Sequence, residues 1–409
     1  MGKRISWTHA AVAAAVLAGG GAAHATNGYM PHGFGIKAKG MGGASTALAH
    51  DGFAGVNNPA SSAFAGNRWE IGGEIFQPKR SAGFDGLTPQ VQSGREAFLI
   101  PEFGSNVVLS DKLSLGLTVY GNGGMNTSYA PFPDNSNLFG GTGKLGVDLM
   151  QLIIAPTVAY KVADGHALGV SPLLVYQRFK AYGLDGMGLP NQGNDHSRGL
   201  GVRVGYFGKL SDRVSVGASY SPKISMSKFD KYANLFAEQG DFDIPENYSM
   251  GVALQVTPTV QVALDYQGIQ YSKVRSIGNP SNSMGAPGSA DAPGFGWQDI
   301  NVVKLGVQWQ MSPQWTLRAG YNDGDNPIRP QDVQLNILAP GVIEKHLTLG
   351  ATYRPNNQEE LSFAVWHGKN NAVNGPAYLG LDGENNPVFG SATIRMKQNG
   401  FGFQYARKF

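Results

Sequence analysis

Cysteine is absent from the 409-residue chain, and charged side chains are scarce. The lack of cysteine excludes a disulfide framework and thiol chemistry. Lys, Arg, Asp and Glu together make up 15% of the residues, whereas roughly a quarter is typical of soluble globular domains. Something other than charge must therefore cover much of the outside of the folded protein.

Long apolar runs and basic clusters are missing as well. Beyond the amino-terminal segment, no stretch approaches the ~18 consecutive apolar residues that a transmembrane helix requires. We therefore expect no membrane helix in the mature chain. The net charge is only +3, and the Lys and Arg residues are scattered. This pattern gives no indication of a nucleic-acid partner.

The first residues have the organisation of a secretory signal peptide. Lys3 and Arg4 precede an apolar run from Ala10 to Leu17, and Ala23-His24-Ala25 forms an A-x-A cleavage pattern. We predict that residues 1–25 are a signal peptide removed on export.

Residues 26–65 are rich in Gly, Ala, Ser and Asn and show neither a strand period nor a helical face. Such a segment cannot bury enough of its own surface to offset the entropy of ordering. We predict that it is enclosed by the rest of the chain as a plug, followed by one large unit at residues 66–409.

The remaining chain alternates apolar with small or polar residues, as in Leu113, Leu115 and Leu117 against Ser114 and Gly116. Fourteen strands are predicted, near 67–76, 97–110, 112–121, 147–162, 166–182, 198–210, 213–226, 244–257, 258–274, 299–311, 314–324, 343–354, 359–369 and 393–409. Tight turns and long loops alternate between them. This is typical of an all-β, antiparallel outer-membrane barrel with both termini in the periplasm. A soluble sandwich or barrel is the alternative.

The carboxy-terminal strand alternates aromatic residues, Phe401, Phe403 and Tyr405, and ends on Phe409. A terminal Phe on such a strand resembles the signal that the barrel-assembly machinery reads, although Arg407 departs from the pattern.

Fourteen strands enclose more space than their side chains fill, so the interior of the barrel is either open or plugged.

Several segments resemble the FadL/TodX family of outer-membrane transporters for hydrophobic compounds. Asn57-Asn58-Pro59-Ala60 matches the family's hatch motif, and the run 40–44, GMGGA, lies where the family has its Gly/Ala-rich segment. The blocks at 244–251 and 315–321 are similar to family blocks. The resemblance implies a monomeric barrel with an amino-terminal hatch. It also implies passive uptake of fatty acids or aromatic hydrocarbons, with release sideways into outer-membrane lipid.

Candidate ligand contacts are apolar residues of the plug and of the long loops. In the plug they are Phe34, Ile36, Phe53 and Val56. In the loops they are Phe132, Leu138, Phe139, Phe229, Tyr232, Leu235 and Phe236, which form either an exposed capture groove or a small helix packed on the barrel rim. A ligand carboxylate needs a cation, and Lys37, Lys39, Arg178, Lys180 and Arg203 are all candidates.

The run Gly121-Asn122-Gly123-Gly124 follows the third predicted strand. It is either a bulge that bends the strand or the start of the next loop. The resemblance favours the bend, because the family has a kinked third strand here, and we predict that the ligand leaves the barrel at this place.

No catalytic, metal or cofactor site is predicted. The run 33–38 fits G-x-G-x-x-A but lacks the strand that precedes a dinucleotide fingerprint, and 322–326 lacks the spaced ligands of a calcium loop. The histidines are dispersed. An enzyme is therefore not expected. The remaining alternatives are an aqueous porin and a structural or adhesive barrel.

Overall fold

The computed structural model describes residues 27–381 and 384–409, so the predicted signal peptide lies outside the described residues. The strands form one antiparallel sheet in sequential order, and pairing of the last strand with the first closes it into a fourteen-stranded barrel. A two-residue strand, β2, is added to β1. The strands are β1 (Arg68–Phe84), β2 (Val91–Gln92), β3 (Phe98–Val108), β4 (Leu113–Asn126), β5 (Gly146–Ala163), β6 (His166–Tyr182), β7 (Asp195–Lys209), β8 (Val214–Ser221), β9 (Asn247–Thr257), β10 (Val260–Ile269), β11 (Ile300–Gln310), β12 (Trp315–Gly324), β13 (Lys345–Tyr353), β14 (Glu359–Leu381) and β15 (Pro387–Lys408).

Helical segments are short. The α-helical turns are Ile36–Lys39, Ala54–Asn57, Ala237–Gly240 and Arg275–Gly278, and the 3-10 turns are Pro59–Phe64, Asp185–Met187, Asp230–Tyr232, Tyr271–Lys273, Pro330–Asp332 and Leu335–Ile337. In residues 27–381 and 384–409, no helix is both long and apolar enough to span a bilayer.

The alternation of each strand separates an apolar outer face from a more polar inner face. On β11, Val303, Leu305 and Val307 are exposed, whereas the alternate residues Val302 and Lys304 are buried. The apolar side chains thus point outward, away from the lumen. In a membrane barrel this outer face contacts lipid. This arrangement explains the low content of charged residues, because the lipid-facing band around the middle of the barrel needs none.

Three strands are much longer than the sequence predicts, and β1 is one of them, since it continues to Phe84 and not only to residue 76. β14 continues to Leu381 and β15 begins at Pro387, although 370–392 was predicted to be a loop. A bulge between Gly368 and Asn371 interrupts the alternation, and the residues beyond it include Asn374, Gly375 and Pro376, which are typical of loops. Because a strand outside the membrane needs no apolar face, the periodic signal ends before the strand does.

The segment from Asn27 to Asn67 lies inside the barrel. It hydrogen-bonds or forms ion pairs with inward-facing residues on opposite sides of the wall, including Glu102 of β3, Asp265 of β10 and Glu360 of β14. Glycine permits the closest approaches. A Cβ atom on Gly320 of β12 would lie 2.0 Å from the backbone nitrogen of Gly42.

Candidate binding site in the plugged lumen

The hatch motif joins the plug to the wall. The Asn58 side-chain amide donates to the carbonyls of Thr46 in the plug and Tyr206 in β7, both at 2.8 Å. Its Oδ1 accepts from the backbone N–H of Ala60 at 3.1 Å and so caps the 3-10 turn Pro59–Phe64. The neighbouring Asn57 donates to the carbonyl of Phe34. These two residues therefore set the path of the plug on both sides of the motif.

Buried ion pairs hold the first helical turn of the plug. Lys37 Nζ lies 2.5 Å from Glu360 Oε2, and Arg68 Nη2 lies 3.0 Å from the same oxygen. Lys39 Nζ lies 2.5 Å from Glu74 Oε2. Burial, assisted by the nearby Arg68, lowers the pKa of Lys37 to about 8. Glu360 opposes this effect, because its negative charge favours the protonated lysine.

A cavity of about 30 Å³ lies between the plug and the wall, and we call it the lumen chamber. The plug contributes Met30, Phe34 and Val56 to its apolar side. Polar and cationic side chains from β4, β7, β9, β10 and β11 form the other side: Asn122, Arg203, Asn247, Ser249, Gln267 and Lys304. The chamber thus combines apolar surface with two positive charges.

Both cations of the chamber are buried and, within the described part of the chain, neither forms an ion pair, although the charge of Asp265 acts on Lys304 from the neighbouring strand. Arg203 and Lys304 are each 7% exposed. Arg203 donates to Asn247 Oδ1 at 3.0 Å, while its Nε has no hydrogen-bond partner. Asp265 is opposite Lys304 in the strand register, but its Oδ2 accepts from the backbone of the plug at Ser45 and Thr46. A buried cation without a partner is costly, so this site favours an anion.

The plug residues predicted to contact ligand divide into two groups. Phe34 and Val56 line the lumen chamber, and Phe34 packs edge-on against Tyr120 at 5.0 Å. Ile36 is fully buried against Trp366 and Ala364 of β14. Phe53 is also fully buried and does not line the chamber. Only the first pair therefore faces the cavity.

Of the five cations considered for a ligand carboxylate, the structure brings only Arg203 to the lumen chamber. Lys37 and Lys39 are engaged in ion pairs, Arg178 lies 3.8 Å from Asp148, and Lys180 lies over the Tyr182 ring. Lys304 was missed. Its signal was an inward-facing charge in the middle of an otherwise apolar strand, Val302 to Val307.

The aromatic residues of the loop 227–243 pack against each other and against β6. Phe179 lies 4.7 Å from Tyr232 and 4.8 Å from Phe236 by ring centroid, and Phe229 belongs to the same cluster. All of these side chains are buried. The loop holds a 3-10 turn and a distorted helical turn in place of a regular helix, because Glu238 and Gln239 have positive φ.

The half-buried side chains of the predicted loop groove lie at the edge of this cluster. Phe132, Phe139 and Leu235 are only partly buried, and Leu138 is buried. Tyr232 and Leu235 line a second cavity of about 70 Å³, together with Leu184 and Leu189. The partly exposed apolar surface is thus formed by side chains at the edge of the cluster, whereas Phe229 and Phe236 are buried inside it.

The run Gly121–Gly124 lies within β4, where Asn122 forms a bulge against β5. On the other side, pairing of β4 with β3 ends at Val119 and Phe103. The β3 segment Phe98–Glu102 and the β4 segment Tyr120–Asn126 therefore have no ladder between them. A Cβ atom on Gly123 would lie 2.5 Å from the carbonyl oxygen of Tyr29, so the plug packs directly on the bend.

These features define a class of protein: a membrane β-barrel whose lumen is filled by its own amino-terminal segment, with a small amphipathic chamber and an interrupted wall. Residues 21–409 match the family described as outer membrane protein transport protein (OMPP1/FadL/TodX). The chain belongs to this family of outer-membrane transporters, which carry hydrophobic compounds. No curated protein matches the sequence.

Solved structures with the same fold come from several bacteria. The Pseudomonas putida toluene transporter TodX is 18% identical with a TM-score of 0.68, covering 92% of this chain and 99% of its own. A Pseudomonas aeruginosa FadL homologue is 16% identical with a TM-score of 0.72, covering 93% and 100%. The Ralstonia pickettii toluene transporter TbuX is 17% identical with a TM-score of 0.65, covering 92% and 99%. At these identities the likeness is one of fold.

Proposed function

We propose that the protein takes up hydrophobic compounds with an anionic head group, of the long-chain fatty acid class, without an energy-coupling partner. The observation that carries this proposal is the pair of buried cations Arg203 and Lys304, neither of which forms an ion pair among the described residues, beside Phe34 and Val56. Lys304 has Asp265 opposite it in the strand register, but this carboxylate also binds the plug. A carboxylate would neutralise the two charges, while the alkyl chain would cover the apolar residues. An uncharged arene would leave both cations unpaired.

The lumen chamber is too small for a long alkyl chain in the conformation described. Its volume of about 30 Å³ corresponds to only a few water-sized spheres. Binding therefore requires the plug residues that line it, Met30 and Phe34, to move. The contacts of Gly35 and Ile36 with Glu102 and Gln404 are single hydrogen bonds, which can be exchanged more easily than the ion pairs of Lys37 and Lys39.

We further propose that the ligand leaves sideways where β3 and β4 are unpaired. Transfer of an alkyl chain from an apolar site to water costs about 0.8 kcal/mol per CH₂, whereas entry into the bilayer avoids most of this cost. A closed ladder would block that route, since it presents paired backbone groups all round. The interruption beyond Val119 and Phe103 supports an exit at this place.

The same proposal includes the surroundings of the barrel. The protein acts as a monomer, is inserted by the barrel-assembly machinery through Phe409, and keeps both termini in the periplasm. The signal peptide at residues 1–25 and the plug at 26–65 precede the barrel at 66–409. The protein acts as a transporter and not as an enzyme. Capture at the loop surface of Tyr232 and Leu235 precedes entry into the chamber.

Ligand binding by the purified protein tests this function. Delipidated protein is titrated with oleate and with oleyl alcohol, and bound ligand is counted by native mass spectrometry. We expect oleate to bind more than tenfold tighter, and Arg203→Gln together with Lys304→Gln to remove that preference. Arg178→Gln, which lies outside the chamber, is the control. Equal binding of acid and alcohol by the unaltered protein would instead favour an uncharged substrate such as an arene.

An aqueous porin is the second candidate to be distinguished. It requires an open lumen, and the burial of the segment from Asn27 to Asn67 inside the wall argues against it. Single-channel conductance in a planar bilayer separates the two. Porin-like conductance by the intact protein would support the porin, whereas a barrel that neither conducts nor binds ligand would be structural or adhesive.

A further inference from the structure

Four cations lie together on the outside of the barrel, on the face formed by β14, β15 and β1. They are Lys79, Lys369, Arg395 and Lys397, and all four side chains are exposed. Lys79 and Lys397 are direct partners in the β1–β15 register, and Arg395 is two residues further along β15. Lys369 lies in the bulge of β14, which is opposite Lys397. We call this group the wall cluster.

The wall cluster lies beside the apolar band of the barrel. On β15 the exposed residues run from Phe403 and Phe401 through Asn399 to Lys397. Lys397 is four residues from Phe401, which is about 13 Å along a strand. On β1 the same order is repeated from Ile75 to Lys79. The cations therefore lie just beyond the edge of the hydrocarbon region, towards the long loops, at the depth of lipid head groups.

The charges of this cluster are only partly balanced by the protein. In the described residues, none of the four cations forms an ion pair, and like charges directly opposite in an antiparallel pair are destabilising. Asp85 is the acidic side chain that interacts with Arg395, but its oxygens also accept from Ser391, Thr393 and Asn374. Some exposed cations elsewhere near the loops are paired, as Lys345 is with Asp323 and Lys273 with Glu246.

We propose that the wall cluster binds the phosphates of a phosphorylated glycolipid, the lipopolysaccharide of the outer leaflet. Phosphate groups would neutralise the repulsion between Lys79 and Lys397, and the acyl chains would lie on Phe401, Phe403 and Ile75. Clusters of Lys and Arg at a membrane surface are the usual recognition elements for anionic lipid head groups. The assignment to the outer leaflet depends on the proposed orientation, in which the long loops face the cell exterior, and is independent of the substrate.

The test is lipid binding to the purified full-length protein in detergent. Native mass spectrometry compares bisphosphorylated lipid A, dephosphorylated lipid A, phosphatidylglycerol and inorganic pyrophosphate. The variant carries Lys79→Gln, Arg395→Gln and Lys397→Gln together. A matched control removes three exposed cations elsewhere, with Lys112→Gln, Arg213→Gln and Lys345→Gln. Heat-modifiable migration on gels and oleate binding verify that each variant is folded and keep this test separate from that of transport.

We expect the unaltered protein to bind bisphosphorylated lipid A at least tenfold tighter than the dephosphorylated form, and the wall-cluster variant to lose at least tenfold in affinity. The control variant should keep its affinity. Equal retention by the wall-cluster variant would overturn the proposal. Displacement of lipid A by pyrophosphate at equal concentration would indicate a phosphate site without lipid contacts, and equal binding of phosphatidylglycerol would contradict recognition of the glycolipid.

Discussion

Lys37 in the plug and Glu360 in β14 form a buried ion pair, with 2.5 Å between Nζ and Oε2 and at most 3% of either side chain exposed. Glu360 also pairs with Arg68, Arg354 and Lys408. One carboxylate thus contacts a lysine of the plug and three cations of the wall, and Glu70 pairs with Arg68 and lies 4.0 Å from Lys37. Removing one partner of a buried pair typically costs about 3–5 kcal/mol, but here Lys37 would still lie 4.0 Å from Glu70, so we expect a loss of about 3 kcal/mol or less.

Replacing Glu360 should therefore loosen the plug without unfolding the barrel. In Glu360→Gln we expect more frequent open events and a higher mean conductance in planar bilayers than in the unaltered protein. Lys112→Gln, in an exposed turn, should leave conductance unchanged. If Glu360→Gln conducts as little as the unaltered protein while migrating as a folded barrel, the ion pairs do not retain the plug.

Phe34 should contribute to ligand affinity, whereas Ile36 should not contribute directly. Burial of a Phe side chain is worth about 1.5–3 kcal/mol, so Phe34→Ala should weaken oleate binding by roughly 10-fold or more. Ile36→Val changes a residue packed on Trp366 and should leave the affinity within about twofold. Titration of both variants by native mass spectrometry checks this. An unchanged affinity in Phe34→Ala would remove Phe34 from the binding site.

The stability of the loop 227–243 should depend on pH. Burial, followed by the charges of Asp243 and Glu238, raises the pKa of Asp241 to about 6, although Lys223 opposes this. The folded loop therefore binds a proton more tightly than the unfolded loop, and its stability falls as pH rises from about 4 through 6. Hydrogen-exchange protection factors should be lower at pH 7.5 than at pH 5. Asp241→Asn should remove this difference, and a difference that persists in the variant would exclude Asp241 as its source.

The barrel could be predicted from the sequence because lipid-facing strands keep a strict period of two residues. The ends of the strands could not, since the bulges of β14 at Gly368/Asn371 and Tyr378/Gly380 break its alternation, and Asn374, Gly375 and Pro376 between them are residues typical of loops. The plug was recognised from its composition and the hatch motif. Its contacts were not, because irregular backbone has no period from which the direction of a side chain follows.

The lining of the lumen chamber, the proposed ligand site, could be predicted only in part from the chemistry of the residues. Phe34, Val56 and Arg203 were named from their type and place, but five cations were equally plausible until the fold separated Arg203 from those already paired. Lys304 was overlooked because a single inward charge in a strand resembles ordinary alternation. The proposed role of Lys304 depends on Arg203, which is about a hundred residues away in sequence. The two residues line the same chamber only in the folded barrel.

The proposed route of the ligand leads through the wall between β3 and β4. The chain has no cysteine, so a single pair can be introduced and bridged. Ile100→Cys with Asn122→Cys spans the unpaired segment, and Ser105→Cys with Leu117→Cys spans the paired part of the same seam as a control. The measurement is the rate of uptake of labelled oleate by cells that depend on this protein, before and after bridging with a reducible bifunctional reagent. We predict that the first bridge lowers uptake more than tenfold, that reduction restores it, and that the control bridge has no effect. Uptake at the original rate through a fully bridged Ile100–Asn122 pair would contradict the claim.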